Sequence, residues 1–480
     1  MSASRRFAVI GIICLAVLGL ALPEDGVDGW VAAGDQAAAR GGYTQALSLF
    51  EGAARRGLYG GGLPLRIGQV HLAKHRFDQA EKSLQQALSD CAAAEEAFAW
   101  TRLPASLCAP QASLALGELF RQTARPAEAR DALLRSLAGG EGEAALPLAL
   151  VYLRTGELDQ ARGLLTGLAA RGDQQASLLL GLLLLATDPD AAHAPLTAAS
   201  QGVDAEAAAA ARQILPVLPS LAEEADPAYR ALLAARAALR ASEPQVAFAD
   251  FGIALRANPL YAGALAYQGY ALHLLGEPAA ALATADRALA LDPSSSQAHY
   301  VRGLALRAQG QPALAVAELE AALAADSGNP VILMDLGDTY ALLRNYPQAQ
   351  ADLEAATRAD SSSPIPWMRL AHFHLESLLS VESGLAAAQR AVALAPVNGE
   401  ARDLLGWGLY LNRRVDDALV ELRQAVALAP RSASAHYHLG VVAAQAGDKE
   451  TARRVLQRAV DLDTTGDVEG RAAKALSDLR

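Results

Sequence analysis

The sequence predicts an all-α protein built as a helical solenoid, and two observations support this. Hydrophobic residues make up 52% of the 480 residues but aromatic residues only 5%, so the apolar content is mostly Ala and Leu, which enter helices readily. The phrase "AVALAP" occurs at Ala391–Pro396 and again, 34 positions later, at Ala425–Pro430. A fixed period of this size is typical of a solenoid, in which each unit buries its apolar face against its neighbours.

Weaker copies of this phrase extend the period in both directions. They end at Pro259, Pro293, Ser327, Ser361, Pro396, Pro430 and Thr464, and every step is 34 residues except the step of 35 that ends at Pro396. Within each unit small residues return at fixed places, namely Gly269, Gly303, Gly337, Gly406 and Gly440, and then Ala281, Ala315, Ala349, Ala418 and Ala452. Because Gly inside a helix costs about 1 kcal/mol relative to Ala, its regular return predicts that two helix backbones approach closely there.

These residues resemble the tetratricopeptide repeat (TPR) motif. The unit from Pro330 matches it with Leu333, Leu336, Gly337, Tyr340, Ala349, Leu353 and Ala356. The unit from Pro364 departs from the motif, because it has Ala371 where Gly is expected and one extra residue. The resemblance implies a right-handed superhelix of antiparallel helix pairs, with seven TPR units over residues 228–466.

The first half of the chain is similar to the same family in a degenerate form. Residues 27–215 read as TPR or Sel-like units, with an insertion at about 91–109 that breaks the register. The prolines at 216, 219 and 227 predict a joint at residues 216–227 between two arrays. Residues 467–480 read as the capping helix that an open solenoid needs for solubility.

The N-terminus reads as an export signal. Arg5 and Arg6 precede an apolar run from Phe7 to Leu22, which is the order of a secretory signal peptide. Residues 1–22 are therefore predicted to be either a cleaved signal or a retained anchor in the inner membrane, through residues 7–22. In both cases the rest of the chain is predicted to be periplasmic or otherwise extracytoplasmic.

Charge and motifs exclude several functions. The formal net charge is −11 and no block of Lys and Arg forms a basic stripe, so nucleic acid is not an expected partner. No nucleophile elbow, phosphate loop or H-E-x-x-H pattern is present. We therefore expect no catalytic residues, no cofactor and no metal. Membrane contact is expected only through an uncleaved N-terminal segment.

Cys91 and Cys108 are the only cysteines beyond the predicted signal, and both fall in the insertion. In an exported chain this placement predicts a disulfide that closes the insertion. The alternative is a pair of small buried hydrophobic residues.

A partner-binding groove is predicted on the face of each first helix that lies opposite the Leu/Gly packing face. That face is rich in aromatic residues and methionine: Tyr267, Tyr270, Tyr300, Met334, Asp335, Asp338, Met368, Arg369, His372, Trp407, Tyr410, Tyr437 and His438. We predict a non-catalytic scaffold that binds a protein or peptide segment in this concave groove of the second array. The resemblance to TPR proteins implies a role in the assembly of an envelope complex. The alternative is a glycan-binding periplasmic subunit of a polysaccharide-export system.

Overall fold

The computed structural model describes residues 27–55, 62–94 and 105–479. The predicted export segment, residues 1–22, lies outside these residues, as does most of the predicted insertion. Within the described ranges the chain forms helices and no strand, which confirms the all-α prediction. None of the helices in these ranges combines the length and the apolar character needed to cross a membrane.

Within each unit, most consecutive helices in the described ranges pack against each other as hairpins joined by short turns. In chain order the α-helices are α1 (Val27–Ala39), α2 (Tyr43–Arg55), α3 (Gly62–Ala73), α4 (Phe77–Ala94), α5 (Ala105–Gln122), α6 (Pro126–Ala138), α7 (Ala145–Thr155), α8 (Leu158–Ala169), α9 (Gln174–Leu185), α10 (Pro189–Gln201), α11 (Ala205–Ile214), α12 (Leu218–Glu223), α13 (Pro227–Arg240), α14 (Pro244–Ala257), α15 (Ala262–Leu274), α16 (Pro278–Leu291), α17 (Ser296–Ala308), α18 (Pro312–Ala325), α19 (Pro330–Leu342), α20 (Tyr346–Ala359), α21 (Pro364–His372), α22 (Val381–Leu394), α23 (Gly399–Leu411), α24 (Val415–Leu428), α25 (Ala433–Gln445), α26 (Lys449–Leu462) and α27 (Glu469–Asp478).

The recurring glycines lie where the two helices of a pair approach most closely. A Cβ atom added to Gly337 would lie 2.7 Å from Cγ of Leu353, and one added to Gly406 would lie 2.6 Å from Cγ of Leu422. The recurring alanines, such as Ala418, are fully buried in the same interface. The close approach predicted from the glycine spacing is therefore confirmed.

The repeated phrase "AVALAP" marks the end of each second helix. Helix α22 ends at Leu394 and α24 ends at Leu428, so that Ala and Pro follow the last helical residue in both copies. Proline is common at this place because it cannot continue a helix. The next helix then starts at a polar cap: the side chain of Asn398 accepts a hydrogen bond from the backbone N–H of Ala401.

Helix packing divides the chain into two compact units. Unit 1 comprises residues 1–35 and 49–309, and unit 2 comprises residues 36–48 and 310–480. The main core cluster of unit 1 extends from Ala145 to Ala271. It runs through the predicted joint at residues 216–227, because Leu218 and Leu221 are buried in it. The prolines there shorten the helices, but they do not interrupt the core.

Unit 2 has a core cluster that extends from Leu333 to Val455 and a second that joins α25, α26 and α27. Helix α27 packs on α26, at the place predicted for a capping helix. The segment Gln36–Ser48 also belongs to this unit. Its Thr44 backbone N–H donates to Oδ1 of Asp461 at 2.9 Å, and Nη1 of Arg458 donates to the carbonyl of Gly41 at 2.9 Å.

The extra residue of the unit from Pro364 is accommodated by a π-helical turn. After α21, residues Phe373–Ser377 form this turn, and the N–H of Leu378 donates to the carbonyl of Phe373, five residues earlier. One inserted residue in a helix is the usual cause of a π-bulge, and such bulges occur frequently at functional sites.

Cys91 and Cys108 are joined by a disulfide, with their Cα atoms 5.9 Å apart. Both side chains are buried, at 2% and 4% exposure. The bond links α4 to α5 across the insertion.

Asp250, on α14, is fully buried and its carboxylate oxygens have no hydrogen-bond partner within the described part of the chain. Burial in an apolar environment raises the pKa of this carboxyl well above its usual value of 3.8. The folded state therefore favours the protonated acid, and the stability that this provides is lost as the pH rises from about 4 through the raised pKa.

Gly406→Ala should destabilise the protein. The new methyl group would meet Leu422, and overpacking of this kind costs about 1–3 kcal/mol. Gly163→Ala on α8 is the matched control, because no atom lies within 4 Å of its new Cβ, and the better helix propensity of Ala should raise stability by up to about 1 kcal/mol. Thermal denaturation followed by circular dichroism measures both. Equal melting temperatures for the two variants would contradict the packing argument.

Asp250→Asn should stabilise the protein at pH 8, by about 1–3 kcal/mol, because it removes a carboxyl that must either ionise without a partner or stay protonated. The gain should shrink as the pH falls toward 4, because the pH then approaches the ordinary carboxyl pKa of 3.8 and protonating the folded wild-type carboxyl costs progressively less free energy. Denaturant midpoints measured between pH 4 and pH 8 test this. Asp416→Asn, at an exposed residue, is the control; a gain for Asp250→Asn that is independent of pH would reject the explanation.

Candidate partner-binding surface

The residues predicted to line a groove lie on the first helices of successive pairs. Tyr267, Tyr270 and Tyr300 belong to unit 1, on α15 and α17. The other predicted residues belong to unit 2, on α19, α21, α23 and α25. Their exposure depends on the position that each occupies along its helix.

The fifth residue of the first helix is buried in three successive helix pairs. Tyr300, Met334 and Met368 are 8%, 9% and 7% exposed. Both methionines belong to the core cluster of unit 2. The prediction that these three side chains stand on a free face is wrong, and they serve packing within the array.

In unit 1 the two remaining tyrosines are half-buried and engaged with their neighbours. Tyr267 stacks on Phe251 with ring centres 6.0 Å apart, and the guanidinium of Arg236 lies 5.4 Å from the centre of the Tyr267 ring. Tyr270 contacts the buried Tyr300 with ring centres 6.3 Å apart. These contacts engage one face of each of the two rings.

Helices α19 and α21 present a polar surface. Nη1 of Arg369 donates to Oδ2 of Asp338 at 2.6 Å, which joins the two helices by an ion pair. Arg369 and His372 are exposed, whereas Asp335 and Asp338 are half-buried. A largely exposed ion pair of this kind contributes only about 0–1 kcal/mol to stability. Either side chain can therefore leave the pair and bind an opposite charge on a partner.

Aromatic surface in unit 2 is concentrated around Trp407. The Trp407 ring stacks on His438 with ring centres 4.2 Å apart and an interplanar angle of 16°. Tyr410 lies at 5.2 Å on the same helix, and Tyr437 lies at 6.4 Å on α25. We call these four residues the Trp407 cluster. Trp407, Tyr410 and Tyr437 are half-buried, so each keeps part of its ring accessible.

His438 is the buried member of the cluster, at 4% exposure, and the prediction that it stands on a free face is also wrong. Its Nδ1 lies 2.8 Å from Oδ1 of Asp403, whose other oxygen accepts a hydrogen bond of 2.8 Å from Oγ of Ser434. The imidazole is thus held between a carboxylate and the Trp407 ring. This arrangement fixes the position of Trp407.

A second carboxylate, that of Glu376, approaches the cluster from the π-helical turn. Its Oε1 lies 3.9 Å from Nε2 of His438, and its Oε2 lies 3.7 Å from Nη1 of Arg471 on α27. The Arg471 guanidinium in turn lies 4.9 Å from the centre of the Tyr437 ring. Burial raises the pKa of the Tyr437 phenol, Glu376 and Tyr410 add to this effect, and Arg471 opposes it. The phenol is therefore neutral at physiological pH and can donate a hydrogen bond.

Ser434, His438 and Asp403 do not form a catalytic triad, although the residue types are those of one. In a triad the histidine stands between the serine and the carboxylate. Here Ser434 and Nδ1 of His438 both bind the same carboxylate, and Nε2 faces Glu376 instead of a hydroxyl. Oγ of Ser434 also lies 3.4 Å from Nδ1 of His438, but that nitrogen is the one that faces Asp403, so the imidazole does not stand between the serine and the carboxylate. Across the described residues, no group of three or more His, Cys, Asp or Glu side chains could hold a metal ion.

Comparison with family models places this surface in a known repeat family. A tetratricopeptide repeat model matches residues 232–296, 275–330 and 404–467, and a second tetratricopeptide repeat model matches residues 306–377. The matched residues, 232–377 and 404–467, are similar to tetratricopeptide repeats. They contain Trp407, Tyr410, Tyr437 and His438, so the Trp407 cluster lies on helices that match a TPR model. Proteins of this fold generally bind protein partners.

Solved structures of TPR proteins are similar to the chain in fold. The Cut9–Hcn1 hetero-tetramer of the APC/C matches with a TM-score of 0.46 and 14% identity, over 99% of this chain and 99% of that chain. Yeast Tom70 matches with a TM-score of 0.41 and 15% identity, over 94% and 95%. The Pseudomonas aeruginosa pilF protein matches with a TM-score of 0.38 and 21% identity, over 44% of this chain and 96% of that chain. No curated protein matches the sequence.

Three residues of this surface were not found from the sequence. Glu376 is carried by the π-helical turn, Ser434 binds the carboxylate of Asp403, and Arg471 reaches over from α27. The step of 35 residues is a sequence signal for the first of these, because an extra residue displaces the side chains around it. The Sel-like character of the N-terminal half stays a prediction.

Proposed function

We propose that the protein is an exported, non-catalytic TPR scaffold that binds a segment of a protein partner on the Trp407 cluster. The observation that supports this most directly is the stack of Trp407 on His438, which is itself held by Asp403. An aromatic ring fixed in one orientation and still half-accessible loses little conformational entropy when a ligand covers it. Trp and Tyr are also the side chains that most often dominate binding energy at protein interfaces.

The size of the surface indicates the strength of binding. Covering the accessible parts of three rings contributes about 1.5–3 kcal/mol each at most, and association itself costs about 4–15 kcal/mol. The net gain is at most about 5 kcal/mol, so a partner that covers this cluster alone should bind with a Kd no lower than about 0.2 mM, and tighter binding needs further contacts. The polar surface of α19 and α21 would add specificity.

Export and a role in the assembly of an envelope complex are parts of the same proposal. The order of Arg5, Arg6 and the apolar run to Leu22 supports export. The Cys91–Cys108 disulfide also supports it, because disulfides persist in oxidising compartments. The absence of recognisable catalytic motifs in the sequence supports a scaffold, to which no cofactor is assigned.

A photo-reactive benzoylphenylalanine at position 410 should form a covalent adduct with a discrete protein in the native cell, because Tyr410 borders the accessible face of Trp407. The same probe at Val420, which is 52% exposed on the second helix of the pair, should form none. Combining the probe at 410 with Trp407→Ala should reduce the adduct about tenfold, as expected for the loss of one aromatic anchor.

Immunoblotting measures the adducts, and circular dichroism verifies that each variant is folded. Equal adducts from positions 410 and 420 would place the binding surface elsewhere. Adducts that carry glycan and no protein would favour the glycan-binding alternative, since aromatic rings also stack on sugars.

Thiol labelling tests the compartment. When the protein is purified from its native cell and unfolded without reductant, neither Cys91 nor Cys108 should react, because the disulfide forms only where the chain meets an oxidising environment. Reporter fusions after Glu24 and after Arg480 should both show activity on the non-cytoplasmic side. Two labelled thiols together with cytoplasmic reporter activity would refute export.

A further inference from the structure

The Trp407 cluster already holds one guanidinium group, that of Arg471. The guanidinium lies 4.9 Å from the centre of the Tyr437 ring, and its Nη1 lies 3.7 Å from Oε2 of Glu376. Its Nε donates to the backbone carbonyl of Asp467, two residues before the start of α27, at 3.2 Å. An aromatic face beside a carboxylate is the environment that a guanidinium group binds, since its planar cation stacks on the ring while its N–H groups reach the oxygens.

The groups that receive Arg471 come from elements other than its own. Tyr437 lies on α25, Glu376 lies in the π-helical turn, and Trp407 lies beside them on α23. The other carboxylate of the cluster, that of Asp403, is bound by His438 and Ser434. Glu376 is therefore the carboxylate that can receive a cation from outside.

Arg471 is held weakly. Its side chain is 47% exposed and that of Glu376 is 29% exposed, and an ion pair this long in contact with water contributes little to stability. A cation–π contact at an exposed site adds little more. A guanidinium group on a bound partner can displace Arg471, because the rest of the partner supplies further contacts.

We propose that Tyr437 and Glu376 form a guanidinium subsite that takes an arginine side chain of the partner, and that Arg471 fills this subsite when no partner is bound. This rests on the proposed function, which it makes specific: the partner segment is basic and carries arginine. The chemistry distinguishes three side chains. Arginine fits both the ring and the carboxylate, lysine offers a smaller and more strongly hydrated cation, and citrulline has the shape of arginine without its charge.

The test uses the full-length protein at physiological salt and a fluorescein-labelled peptide of alternating glycine and arginine, with fluorescence anisotropy as the readout. Arg471→Ala should bind this peptide about fivefold more tightly than the wild type, because the competing internal group is gone. Lys474→Ala is the matched control: it removes the same charge from an exposed position of the same helix, and it should bind as the wild type does. Adding Glu376→Gln to Arg471→Ala should abolish the gain.

Peptides with lysine or citrulline in place of arginine complete the test. Arg471→Ala should raise the affinity for the lysine peptide less than it raises the affinity for the arginine peptide. It should leave the affinity for the citrulline peptide unchanged. An equal gain for the citrulline peptide would show that Arg471 merely covers apolar surface, and equal affinities for Arg471→Ala and Lys474→Ala would overturn the subsite. If Arg471→Ala lowers the melting temperature, Arg471→Gln replaces it, because its amide can still donate to the Asp467 carbonyl.

These measurements are independent of the native partner. If the probe at position 410 forms no adduct but the peptide affinities change as expected, the proposed function is refuted and the subsite stands. If the adduct forms but the peptide affinities do not change as expected, only the subsite is refuted.

Discussion

The close approach of the two helices in each pair is the constraint on which the rest of the structure depends. Small residues permit it: Gly406 leaves no space for a Cβ beside Leu422, and Ala418 is fully buried in the same interface. Because this interface uses one face of each first helix, the opposite face is available for other contacts. The periodic spacing of small residues therefore determines both the core and the surface.

The opposite face is divided further by the stacking of neighbouring pairs. Residues at the fifth position, such as Met334 and Met368, are buried, whereas Arg369 and Trp407, at the sixth and ninth positions of their helices, remain accessible. Accessible aromatic surface therefore accumulates at a few places instead of along the whole array. The Trp407 cluster is such a place, because Trp407, Tyr410 and Tyr437 each keep part of the ring accessible.

Much of this arrangement could be predicted from the sequence. The period of 34 residues and the glycine spacing predicted the helix pairs and their packing face, and Cys91 and Cys108 were paired from their placement alone. The burial of Tyr300 could not be predicted, because knowing which residues share one face of a helix does not show how closely neighbouring helices pack against that face. Asp403, Ser434 and His438 come together from two helices, and the spacing of polar residues along one helix does not show such a contact.

The π-helical turn has a consequence for how far the repeats are equivalent. In a regular array, pairs of equal length present equivalent positions in the same direction, so that one pair could replace another without changing the surface. The pair that begins at Pro364 is an exception, because its extra residue changes the phase of the helix just where Glu376 is carried. A duplication or exchange that restored the common length would preserve the fold and remove the carboxylate from its place beside Tyr437. The helix pairs are thus interchangeable in how they pack, but the pair that begins at Pro364 cannot be replaced without losing the side chain that it places at the surface.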